Sequence, residues 1–242
     1  MGNKRLPGKQ QKVYIRTKTE PQAELLRSIE EKTMVIAKGS AGTGKTYCTA
    51  MAAVDAYLQN EIDYIVITRP NVPTGKSLGA YPGLAEDKMA NWVRPILNVL
   101  LAGLGAANYN YLMEKKRIVL QPMESIRGMS FENSFVICDE AQQLTVEEIK
   151  ALSTRLGEDS KMILLGDPSQ RDTKVSGLEW LSYICKKHEI DCPVVEFKPK
   201  HIVRSGIVAE LVAAFEKDLQ APNAENSKDH PAPHERSNEG VN

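Results

Sequence analysis

No stretch of this 242-residue chain is apolar for long enough to cross a bilayer as a helix, which takes about 20 consecutive residues. No short apolar segment follows the basic start, as one would in a secretory leader, so the expected location is cytoplasmic. Cysteine is scarce: Cys48, Cys138, Cys185 and Cys192 are too few in a chain of this size for a disulfide framework. Cys185, His188 and Cys192 lie close in sequence, but no fourth ligand stands at a usual zinc spacing, which leaves small packing residues as the expectation. Charge of one sign is missing too. The 31 Lys and Arg balance 31 Asp and Glu, which excludes a global electrostatic pull toward nucleic acid and leaves only local patches to provide one. Lys4, Arg5, Lys9, Lys12, Arg16 and Lys18 all precede the first acid, Glu20, a run that fits a solvated flexible arm or a nucleic-acid contact. Aromatics are 6% of residues and form no basic, aromatic-rich motif on which single strands would stack.

What is present starts with Gly39-Ser40-Ala41-Gly42-Thr43-Gly44-Lys45-Thr46, a complete phosphate-binding P-loop. Its context separates it from a glycine turn that merely caps a helix. Residues 33–37 (TMVIA) read as a buried parallel strand, and residues 45–59, rich in Ala and free of Pro and Gly, read as a helix. Backbone N–H groups of such a loop point at phosphates, and the helix N-terminus adds its partial positive charge. Lys45 would reach the β- and γ-phosphates, and the Thr46 hydroxyl would bind magnesium.

Further β-rich apolar runs stand at 64–68, 118–120, 135–138, 162–165 and 194–197. Helical candidates are 21–31, 45–59, 84–101 with Pro95 inside, 145–156, 177–187 and 207–219. Such alternation predicts an α/β fold, a mostly parallel sheet flanked by helices on both faces, with its ligand at the carboxyl ends of the strands. A hydrophobic content of 42% supports one large domain, whereas two nucleotide-binding lobes would not fit. The predicted organisation is a basic arm over 1–15, a globular domain over 16–220 and a disordered polar tail over 221–242, where only Val241 is an aliphatic residue larger than Ala. The Gly- and Pro-rich segment 69–83 follows a strand end, where an active-site loop is expected.

The apolar run 135–138 leads into Asp139-Glu140-Ala141-Gln142, a Walker B arrangement. Asp139 would hold magnesium, mostly through water, and Glu140 would orient the attacking water and accept its proton. Alone, such a pair also fits ordinary helix capping; with the P-loop it reads as catalytic. Gln170, after Gly166-Asp167-Pro168-Ser169, can contact a γ-phosphate or serve as a polar turn residue. Arg204 can neutralise charge on a transferred phosphoryl group or form a surface ion pair.

These elements in this order, with Thr19-Glu20-Pro21-Gln22, Thr68-Arg69-Pro70, Leu78-Gly79, Pro82-Gly83, Arg94-Pro95, Ile126-Arg127-Gly128, Thr154-Arg155-Leu156-Gly157 and Val203-Arg204, resemble the PhoH family of P-loop ATPases, related to superfamily-one helicases. The similarity runs from Arg16 to Lys217. It implies a single RecA-like P-loop NTPase domain in which Gln22 reads adenine, Gln170 senses the γ-phosphate and Arg204 is a candidate arginine finger. His201 stands where the family usually carries an acid, which weakens the match around Arg204. Pro168-Ser169 brings the Gln170 motif closer to the helicase form.

The resemblance further implies ATP and Mg2+ as ligands and a hexameric ring in which a neighbour's Arg204 completes each site. Single-stranded RNA or DNA, RNA preferred, would be contacted through Arg69, Lys76 and Arg127. No nuclease domain of the kind some family members carry is expected here, so the output would be translocation or unwinding without cleavage. Two other outputs stay open: a nucleotide-controlled binding or assembly protein with slow hydrolysis, and a P-loop phosphotransferase, whose Arg-rich lid has no counterpart in this sequence.

Overall fold

Successive residues of a strand point to opposite faces of a sheet, so a strand covered on both faces reads as an unbroken apolar run. That is how the runs resolve in a computed structural model describing residues 12–70, 85–171, 175–203, 206–208, 210–212 and 214. Six strands form: β1 (Met34–Gly39), β2 (Tyr64–Arg69), β3 (Ile118–Pro122), β4 (Ser134–Cys138), β5 (Lys161–Gly166) and β6 (Val194–Phe197). All pairings are parallel, in the order β3-β2-β4-β5-β1-β6. The expected α/β architecture is the one that forms.

The helices are α1 (Glu20–Glu31), α2 (Lys45–Leu58), α3 (Ala85–Trp92), α4 (Arg94–Leu104), α5 (Ala106–Glu114), α6 (Val146–Ser153) and α7 (Gly177–Lys187). Val35, Ala37, Ile65, Ile67, Phe135 and Ile137 pack with apolar residues of α1, α2 and α4 in one core. Their alternates Ile36, Val66, Val136 and Leu164 pack with Ile149, Leu152 and Leu178 of α6 and α7 in another. Each such side chain larger than Ala contributes about 1.5–3 kcal/mol through burial. A one-residue slip in any central strand would therefore exchange its two apolar sets between unlike surroundings.

Two local features differ from the sequence expectation. The helix expected over 84–101 breaks at Val93, because Pro95 has no N–H to give to Asn91; Ile96 and Leu97 instead both donate to the Val93 carbonyl, at 2.9 and 3.1 Å. A further helix, α5, follows Gly105, whose φ of 74° turns the chain; α5 fully buries only Leu112, so its apolar pattern is weak. Of the expected arm, residues 12–15 are described: Val13 N–H donates to Asp55 Oδ1 at 2.8 Å and Lys12 pairs with Glu30 at 2.7 Å, while Tyr14 is exposed. The rest of the expected arm, the polar tail over 221–242 and part of the helix expected over 207–219 lie outside the described residues. Among the described residues no helix is long and apolar enough to cross a membrane.

Strand order decides where chemistry can occur. The carboxyl ends of β2, β4, β5 and β1 stand side by side, bringing residues about 100 positions apart onto one edge.

Candidate functional site

The P-loop leaves β1 at Gly39, which has φ 130° and lies so close to β6 that a Cβ would sit 1.8 Å from the Phe197 carbonyl oxygen. Only glycine fits there. Ser40 N–H donates to that same carbonyl at 3.0 Å, locking the loop entrance to β6. Gly42 and Gly44 take φ of 77° and 87°, and α2 begins at Lys45. The Lys45 ammonium is buried on its own loop, donating to the carbonyls of Gly39 at 2.5 Å and Ser40 at 2.8 Å. Burial lowers its pKa, opposed by the charges of Asp167, Asp139 and Glu140. A phosphate entering the loop would take over those donor bonds.

Asp139 follows β4 and donates its N–H to Thr68 O at 3.0 Å, which places it beside the end of β2. Burial pushes its carboxyl up to about 6, the Glu140 charge adds to this, and Arg69 and Lys45 pull it back. Glu140 has φ 54°, a left-handed conformation uncommon outside glycine. Its Oε2 accepts a 2.5 Å hydrogen bond from Nε2 of the fully buried Gln142, whose Oε1 accepts the Asp167 N–H at 3.1 Å. One side chain thus joins the ends of β4 and β5.

Asp167 is a residue of the cleft that the sequence reading gave no role. Its Oδ2 accepts from the Ala41 N–H in the P-loop at 3.1 Å and from Gln170 Nε2 at 2.9 Å. Its Oδ1 accepts from Ser169 N–H and Oγ at 3.1 and 2.6 Å. Gln170 is further held by Gln143 Nε2 on its carbonyl at 2.7 Å. Both Gln142 and Asp167 stood inside recognised motifs, but a motif does not say which side chains brace the others.

Lys45, Thr46, Asp139, Glu140 and Gln170 line one cleft of about 440 Å³. Asp139 and Thr46 supply one carboxylate and one hydroxyl, hard oxygen donors. Among the described residues no group of three or more His, Cys, Asp or Glu could hold a metal by itself. This set fits magnesium, which keeps several waters and takes phosphate oxygens rather than an all-protein cage. Away from the cleft, Cys185 and Cys192 are both buried as free thiols while His188 is exposed.

The remaining expected residues separate. Gln22, expected at adenine, is buried with its amide engaged at both ends, Nε2 donating to Thr43 O at 2.9 Å and Oε1 accepting Lys18 N–H at 2.7 Å. It touches the P-loop at Gly44, where a Cβ would lie 2.5 Å from Nε2. Arg69, expected among the nucleic-acid contacts, lines the phosphate cleft and donates to Trp92 O at 3.0 Å. Arg127 is exposed after the 3-10 turn that follows β3. Lys76 and Arg204 lie outside the described residues. The neighbouring Val203 N–H donates to Gly42 O at 3.1 Å.

The chain is 37% identical over 206 residues to a PhoH-like protein of Bacillus subtilis, covering 84% of this chain and 64% of that protein. It is 34% identical over 205 residues to the protein PhoH of Escherichia coli, covering 83% and 58%. It thus spans less than two thirds of the length of these curated relatives. Among solved structures, the large terminase of a thermophilic bacteriophage superposes with a TM-score of 0.52 at 12% identity, over 81% of this chain and 50% of that one, a likeness of fold. The family model for PhoH-like protein matches residues 14–216, the span that holds every strand of the sheet and the whole phosphate cleft, so the chain belongs to the PhoH family.

Proposed function

We propose that this P-loop NTPase domain is a magnesium-dependent ATPase that couples hydrolysis to movement on, or unwinding of, single-stranded nucleic acid, RNA preferred, as a ring oligomer with a hexamer favoured. The observation that carries the ATPase reading is the convergence of Lys45, Asp139, Glu140 and Gln170 on one cleft at the carboxyl edge of the sheet. Lys45 would exchange the Gly39 and Ser40 carbonyls for β- and γ-phosphate oxygens. Thr46 and Asp139 would hold magnesium, which when bound neutralises charge on those oxygens. Glu140, its carboxylate oriented by Gln142, would take the proton of the attacking water, and Gln170 would contact the terminal phosphate.

Coupling to a single strand is supported by family membership and by the exposed Arg127, and Lys76 is a further candidate contact. The ring is supported by the resemblance and by a one-lobe site to which a neighbouring subunit's Arg204 would bring the finger. ATP turnover measured with and without short RNA and DNA oligonucleotides tests the reading. Stimulation by a single strand supports it, while a slow rate indifferent to either strand points to a nucleotide-controlled assembly protein. Glu140→Gln should abolish turnover and keep ATP bound, and Lys45→Ala should lose both. A sedimentation mass equal to the monomer, with ATP bound and hydrolysis intact, would dismiss the ring.

A further inference from the structure

The edge that carries the site has its charges in an order that the sequence does not display. Along the strand row β2, β4, β5, β1 stand Arg69, then Asp139 and Glu140, then Asp167, then the P-loop with Lys45. Three carboxylates are bracketed by two cations. Strands are about 4.8 Å apart, so β1 and β2 are separated by three steps, roughly 14 Å. Lys45 and Arg69 stand at opposite ends of this row, and both line the same cleft. A triphosphate anchored in the P-loop and extended along this edge, past Asp167 and toward Glu140, would present its terminal phosphate to the β2 end. That end carries Arg69.

The local structure keeps Arg69 there. Thr68 is in register with Cys138, and Thr68 O accepts the Asp139 N–H, so residue 69 emerges beside the acid pair. One guanidinium nitrogen, Nη1, is anchored to Trp92 O at the break between α3 and α4. A guanidinium has five N–H donors. Among the described residues Arg69 forms no ion pair within 4.0 Å, and its charge acts on the cleft through Asp139, whose carboxyl it pulls down. A strand-binding residue would be expected to turn outward, as the exposed Arg127 does.

We propose that Arg69 is a catalytic cation supplied in cis, contacting the terminal phosphate of the bound nucleotide and the charge that develops on it during hydrolysis. This rests on the ATPase reading above and deepens it. The site then has a same-subunit source of positive charge whether or not a neighbour adds another, and nucleic acid is left to other groups.

The test uses the full chain and the variants R69A, R69Q and R69K, with thermal melts confirming that each folds. R69Q retains an N–H donor for Trp92 O while removing the charge. The expected results are a fall in turnover without nucleic acid of about 10²–10³-fold for R69A and R69Q, and partial rescue by R69K. In an E140Q background the preference for ATP over ADP should fall at least several-fold. Binding of a single-stranded oligonucleotide to the nucleotide-free protein should stay within about twofold, the size of a small surface perturbation. Mixing R69A with K45A protein should restore no activity, because Arg69 and Lys45 must belong to one chain. Turnover of R69Q at the wild-type rate, recovery on mixing, or loss of strand binding with turnover intact would each overturn the assignment. If the wild-type protein binds ATP without turning it over, the ATPase reading fails by itself. The ATP-over-ADP preference then still decides whether Arg69 contacts the terminal phosphate, and an unchanged preference in R69Q refutes that contact.

Discussion

Gln142 Nε2 donates to Glu140 Oε2 at 2.5 Å while the other end of the same amide accepts the Asp167 N–H, so the acid expected to activate water is fixed to the strand end that carries Gln170. The pair is sealed from solvent on the Gln142 side, which is fully buried. Replacing Gln142 by Leu keeps the volume but leaves the Asp167 N–H without its partner, a loss of about 1–3 kcal/mol in stability. The Glu140 carboxylate would also be free to rotate. We expect Q142L to lower kcat for ATP by at least about tenfold while the affinity for ATP changes little. Steady-state kinetics beside nucleotide titration checks this; an equal loss in both would mean that Gln142 only holds the fold together.

Gln22 offers a sharp contrast between two roles. Its amide is committed to Thr43 O and Lys18 N–H, so base reading would require it to give up one of these bonds. As a brace of the P-loop, Gln22→Ala should weaken ATP and GTP by the same factor, with a stability loss of about 1–3 kcal/mol from the orphaned groups. As an adenine reader, it should weaken ATP alone. Competition titrations with both nucleotides on the wild type and Q22A separate the two.

Gly39→Ala should be among the most damaging small substitutions in the chain. A Cβ at 1.8 Å from the Phe197 carbonyl oxygen cannot be accommodated by moving a flexible side chain, and φ of 130° is itself costly for alanine. Separating β1 from β6 would also break the Ser40 N–H bond to Phe197. The expected loss exceeds about 4 kcal/mol, read from denaturant midpoints or from failure to accumulate folded protein. A variant that melts within a few degrees of wild type would contradict the close packing described.

Asp139 links the site to stability through pH. Its folded carboxyl titrates near 6 against an ordinary value of 3.8, so the native state binds more protons than the unfolded state between those values. Stability contributed by this group is therefore lost as pH rises through that window, by on the order of 3 kcal/mol. Asp139→Asn removes the titration. Without magnesium, the D139N protein should be more stable than wild type at pH 8, the advantage shrinking toward pH 4, even though hydrolysis is abolished. Urea midpoints at the two pH values test it, and a less stable variant at pH 8 would count against the burial argument.

Much of the fold was legible because of one physical circumstance. Helices cover both faces of the sheet, so runs such as Phe135-Val136-Ile137-Cys138 are apolar without interruption and stand out from amphipathic segments. The P-loop was legible because its chemistry is local: glycines act through the backbone and lysine and threonine through their side chains, all within eight consecutive residues. Helix α5 was not, since it fully buries little beyond Leu112, and the break at Val93 required knowing that Pro95 fell where an N–H was needed. The roles of Asp167 and Gln142 were hidden inside familiar motifs because a hydrogen-bond acceptor has no sequence signature of what it accepts from.

The sequence by itself determined that a P-loop sits between a buried strand and a helix, and that an acid pair ends another strand. It determined this because those elements depend on neighbours in the chain. Tertiary structure alone decided that β5 stands between β1 and β4, that Asp167 braces Ala41 from across that gap, that Gln22 clamps Thr43 and that Arg69 comes beside Asp139. Parallel strands need long crossovers, so residues adjacent along the carboxyl edge are far apart in sequence. Their charges meet only when the sheet has closed.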